Sequence, residues 1–173
     1  MLTRPLVLAL IALSACEGKP RPSEQLPAPA ATGPAAPPFA GRTLDGEPFE
    51  LVGQRGQVVL LNVWATWCEP CRREMPELQA LHTRHRAQGF TVVGVSVDAA
   101  RLGPEVRRMV EDFALTYPTV HDGRNTIGPT LKIVGYPTSF LIDRAGTIVW
   151  RRDGVIEPGD PELAGALASA LAG

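Results

Sequence analysis

Two near-continuous apolar runs, residues 58–64 and 90–97, enclose a single amphipathic stretch, and no other feature constrains the fold as tightly. Runs of this kind suit strands covered on both faces, as in the interior of a parallel sheet. Between them Met75, Leu78, Leu81 and Ala87 recur at helical spacing. Gly89 then offers the left-handed residue at which helices commonly stop. Strand, helix and strand in that order form a βαβ unit with parallel strands.

The flanking segments extend this unit. Residues 39–44 and 47–52 surround Asp45-Gly46, a hairpin signal. Pro104 opens a second helix with Val106, Met109, Val110 and Phe113 on its apolar side, followed by a short strand over 117–120. Residues 138–142 and 147–151 flank Asp143-Arg144-Ala145-Gly146, a second hairpin. Asp160 caps a last helix with Pro161 at its first position and Leu163, Leu167 and Leu171 inside. The expected class is α/β: a mixed sheet with helices on both faces, an N-terminal β-hairpin and a central βα insertion.

The N-terminus is organised differently. Residues 1–15 carry Arg4 and then a short apolar segment, too short for the roughly 20 residues needed to span a bilayer. They read as a secretory signal peptide. Its end, Leu13-Ser14-Ala15-Cys16, resembles the bacterial lipobox, which implies cleavage before Cys16 and lipidation of that residue. Several acyl chains on one residue anchor stably where one chain is marginal. Residues 16–38 are rich in Pro and Ala and nearly free of large apolar side chains, so they are expected to form a tether. The folded domain is expected over residues 39–173. It would stand in the bacterial cell envelope, facing the periplasm or exterior.

The 173 residues carry a net charge of −1, without the clustered positive footprint that nucleic-acid binding requires. There are three cysteines: Cys16, Cys68 and Cys71. Cys68-Glu69-Pro70-Cys71 joins the first central strand to the first long helix. A Cys-x-x-Cys at such a junction is a redox signature. Unpaired N–H groups and the helix dipole favour a thiolate at Cys68, the attacking species in disulfide exchange. Cys71 is one turn further on, where it could resolve a mixed disulfide, and Pro70 pre-sets the helical geometry between them. Zinc would need two more ligands, and no second cysteine pair exists. His82, His85 and His121 read as surface or satisfied histidines, and neither a metal nor another cofactor is expected.

The run from Val63 through Trp64-Ala65-Thr66-Trp67-Cys68-Glu69-Pro70-Cys71 to Leu78 resembles the TlpA/ResA-like branch of the thioredoxin superfamily. So does Gly135-Tyr136-Pro137-Thr138-Ser139-Phe140-Leu141-Ile142-Asp143. The resemblance implies a thioredoxin-like fold from about Phe39 onward. It implies a cis Pro137 facing the dithiol, with the backbone of Tyr136 free to pair with an extended substrate segment. Trp67, Pro70, Tyr136 and Pro137 are thus the expected substrate-binding residues. Glu74 matches a family carboxylate near the cysteines and could exchange a proton with Cys71. Asn62 stands where thioredoxin itself has a buried aspartate, and an amide cannot titrate.

These readings converge on a monomeric, membrane-anchored reductant of disulfide-bearing proteins. Its compartment tends to oxidise thiols, so electrons are expected from a membrane thiol carrier. Apocytochrome c maturation is one destination the resemblance suggests. A peroxiredoxin-like thiol peroxidase is the first alternative, although Thr66 lies two residues before Cys68 rather than three and the matching proline is absent. A non-enzymatic copper-binding chaperone is the second, but its relatives favour a Cys-x-x-x-Cys pair one residue longer.

Overall fold

The computed structural model describes residues 33–173; the expected signal peptide, Cys16 and the tether up to residue 32 lie outside the described residues. A two-stranded hairpin comes first, β1 (Ala40–Arg42) with β2 (Pro48–Glu50). Gly46 sits at its turn with φ of 88°, a left-handed conformation that glycine adopts without steric cost. The main sheet contains β3 (Val58–Trp64), β4 (Phe90–Ser96), β5 (Thr119–His121), β6 (Thr138–Ile142) and β7 (Ile148–Asp153), in the spatial order β5-β4-β3-β6-β7. β3 pairs parallel with β4 and antiparallel with β6, so it lies at the centre, and all seven of its residues are buried.

Helix α1 (Glu69–His85) makes the crossover from β3 to β4. A tight turn, Arg86–Gln88, follows it, and the left-handed Gly89 ends the element. α2 (Gly103–Asp112) leads towards β5 and α4 (Pro161–Ala172) closes the chain. Alternation along β3 divides the core. Val58, Leu60 and Trp64 pack with Met75 and Leu78 of α1, Val106 of α2, and Leu163 and Leu167 of α4. Val59, Leu61 and Val63 face the other way, towards Phe39, Phe49, Ile127 and Leu131. Three helices thus cover one face. The hairpin and the single-turn α3 (Ile127–Thr130) cover the other.

Several element ends differ from the sequence expectation by one to three residues, and three differences are more than a shift of bounds. Backbone pairing extends N-terminal to Phe39: Pro34 O accepts from Ile148 N at 2.9 Å and Ala36 N donates to Gly146 O at 2.8 Å. The last residues expected to be tether therefore lie along β7, using edge groups that β6 leaves unpaired. β5 begins two residues after Tyr117, whose ring instead packs edge-on against His82. α3 was not expected, because four residues carry no readable period. Its start is held from outside by Asp122 Oδ2, which accepts from Ile127 N at 2.8 Å.

Candidate active site

The site forms where β3 ends. Cys68 is the N-cap of α1, with extended backbone angles (φ −88°, ψ 99°). Its Sγ accepts from Cys71 N at 3.2 Å, one of the helix-terminal N–H groups that lack an intrahelical partner. The two cysteines form a disulfide with Cα atoms 5.3 Å apart. Both are almost enclosed, Cys68 being 4% exposed and Cys71 1%. Pro70 occupies the first turn, where its missing N–H costs nothing.

Glu74 lies three residues beyond Cys71, on the same face of α1, and is 1% exposed. Its Oε1 accepts from Asn62 Nδ2 at 2.7 Å and its Oε2 from Ile156 N at 2.8 Å. Burial raises its carboxyl from 4.5 to about 7, against the lowering effect of these two donors. The same Asn62 amide reaches Ser139 Oγ at 2.9 Å, across the β3–β6 register. The buried carboxylate is therefore held between the central strand and a loop, and a charge change there falls near neutral pH.

The Tyr136-Pro137 peptide bond is cis. Thr138 pairs with Val63, which brings this bond level with the end of β3. Trp67, 69% exposed, meets the Tyr136 ring edge-on with centroids 5.9 Å apart. Asn125 Nδ2 donates to the Tyr136 hydroxyl at 3.1 Å. Trp67, Cys68, Tyr136 and Pro137 are thus gathered at one end of the sheet, with Pro70 and Cys71 in the adjoining helical turn.

Asp98 escaped the sequence reading. It is 1% exposed and takes the Thr66 backbone N–H at 2.9 Å and the Thr66 hydroxyl at 2.6 Å. The signal that could have found it is its place just past β4, since sites in open α/β sheets gather at the carboxyl ends of strands. None of the histidines touches the cysteines, and only His121 reaches Asp98. His82 is buried, with Nδ1 accepting from Val92 N, and burial lowers its pKa. His85 sits against Gln88 and Phe90, while His121 Nε2 donates to Asp98 O at 2.8 Å. Among the described residues no three His, Cys, Asp or Glu side chains gather to hold a metal ion.

Comparison with known proteins agrees with this geometry. The family model described as AhpC/TSA family matches residues 32–151. The thiol-disulfide oxidoreductase ResA of Geobacillus thermodenitrificans is 37% identical over 118 residues, which span 68% of this chain and 67% of that protein. The thioredoxin-like protein YneN of Bacillus subtilis is 38% identical over 117 residues, 67% of this chain and 68% of that one. A crystal structure of a thiol:disulfide interchange protein of the thioredoxin family from Chlorobium tepidum superposes with a TM-score of 0.70 at 31% identity. It covers 82% of this chain and 98% of its own.

Proposed function

The chain belongs to the AhpC/TSA family and is a thioredoxin-like thiol–disulfide oxidoreductase, and from that premise we propose that it reduces disulfides of protein substrates outside the cytoplasm. In its dithiol form Cys68 attacks a substrate disulfide as the thiolate, forming a mixed disulfide and releasing one substrate thiolate. Cys71, deprotonated, then attacks Cys68 Sγ and the second substrate thiolate leaves. Two electrons and two protons pass to the substrate, and the protein is left with the Cys68–Cys71 bridge. A membrane thiol carrier restores the dithiol.

The observation that carries this reading is the sulfur of Cys68 at the start of α1, accepting the Cys71 N–H one turn below it. Glu74 supports the second step. Both its oxygens accept from N–H groups that donate only, so its proton exchanges with a nearby thiol or water rather than with Asn62 or Ile156. Tyr136 and the cis Pro137 offer the backbone edge for an extended substrate, and Trp67 and Pro70 the neighbouring surface.

The lipobox-like Leu13-Ser14-Ala15-Cys16 supports a lipid anchor at Cys16, with residues 1–15 removed, a tether after it and the domain facing the periplasm or exterior. The protein acts there as a monomer. Apocytochrome c, which must present a reduced Cys-x-x-Cys-His segment, is the proposed destination. The test is stoichiometric reduction of an oxidised Cys-x-x-Cys-His peptide by the dithiol protein. One peptide reduced per protein, with only weak hydrogen peroxide turnover, is expected. Rapid peroxide turnover with no peptide reduction would favour a peroxidase instead.

A further inference from the structure

Asp98 is a buried carboxylate that the exchange chemistry does not use. None of the ion pairs among the described residues involves it. An unpaired buried charge is costly and persists where hydrogen bonds replace its hydration. Here three donors converge on it: the Thr66 backbone N–H at 2.9 Å, the Thr66 hydroxyl at 2.6 Å and the Ser96 hydroxyl at 2.8 Å. Bonds of this charge-assisted kind are roughly twice as strong as neutral ones.

The backbone of Asp98 is fixed as well. Its carbonyl accepts from His121 Nε2 at 2.8 Å, and its N–H meets Ser96 Oγ at 3.3 Å. One residue earlier, Val97 N donates to Trp64 O at 3.0 Å. The loop it grips is short. Cys68 N donates to Ala65 O at 3.1 Å, so residues 65–68 make one tight turn with Thr66 and Trp67 at its centre. Thr66 immediately precedes the exposed Trp67 and stands two residues before Cys68.

On the reading that Cys68 and Cys71 exchange disulfides with a polypeptide, we propose that Asp98 is a positioning residue for that reaction. It acts through Thr66 to fix the turn that aims Cys68 and holds the Trp67 ring out against Tyr136. A substrate that docks on this surface needs the turn held. A small disulfide that reaches Cys68 without using Trp67 needs it less.

The test uses the dithiol protein with two probes, an oxidised Cys-x-x-Cys-His peptide and a small aromatic disulfide. Asp98→Asn and Thr66→Val should each lower kcat/KM on the peptide about tenfold, chiefly through KM, with a loss under about threefold on the small disulfide. Thr66→Ser keeps both groups that Asp98 binds and should return the peptide reaction to within about twofold of wild type. Should Asp98→Asn not fold, Thr66→Val carries the test, because it removes one hydroxyl and conserves shape. Peptide kinetics within twofold of wild type in the folded variants would overturn the proposal. So would equal losses on both probes, whether or not Thr66→Ser rescues them. Cys68→Ser should be inactive on both; activity surviving there would overturn the exchange reading, and the positioning role with it.

Discussion

Asn62 donates its side-chain amide to Glu74 across 2.7 Å, joining the central strand to the helix that carries both cysteines. The bond matters because the carboxylate it holds is enclosed and its pKa is raised to about 7. The folded oxidised protein therefore binds a proton at Glu74 between pH 4.5 and about 7 that the unfolded chain has released. Stability falls wherever the native state holds more protons and pH rises.

Glu74→Gln removes this titration with little change in shape. The wild type should lose about 3 kcal/mol of stability through this group as pH rises from below 5 to 8. The variant should keep most of it. Denaturant unfolding of both oxidised proteins across that range is the check. Parallel curves would mean that Glu74 is solvated or already ionised at acid pH.

Trp67→Ala tests the docking surface. The side chain is largely exposed, so its removal should leave the melting temperature within a few degrees. It should raise KM for a peptide disulfide about tenfold, the scale of an exposed aromatic anchor lost from a contact surface. A fall in stability with unchanged KM would make Trp67 a support for Tyr136 rather than a contact for substrate.

The central βαβ unit was legible because burial on both faces and helical spacing are local patterns, written in residues 58–97. The cysteine pair was legible for the same reason, as the two stand three positions apart in the chain. Glu74 was reached only through resemblance. Its burial depends on Asn62, twelve residues away, and on Ile156, eighty-two away. Asp98 grips Thr66 across thirty-two residues, and Asn125 reaches Tyr136 from a left-handed residue beside α3. Polar groups of this kind look like surface residues until the chain is folded, since nothing local distinguishes a buried carboxylate from a solvated one. The pairing of Pro34 and Ala36 with the β7 edge was hidden likewise, because their partners Ile148 and Gly146 are more than a hundred residues away.

Cys16→Ser addresses the anchor. Metabolic labelling with a fatty acid should mark the wild type and not the variant, and the variant should leave the membrane fraction. Equal labelling and equal retention would remove the lipobox from the account.

Cys71→Ser tests the division of labour within the pair most directly, because it leaves Cys68 to attack while removing the thiol that resolves the adduct. Mixed with an oxidised Cys-x-x-Cys-His peptide, this variant should accumulate a one-to-one adduct that dithiothreitol releases and that peptide mapping places on Cys68. The double variant Cys68→Ser, Cys71→Ser should form none. Absence of an adduct on the single variant, or an equally abundant one with Cys68→Ser carrying Cys71 alone, would contradict Cys68 as the attacking thiol.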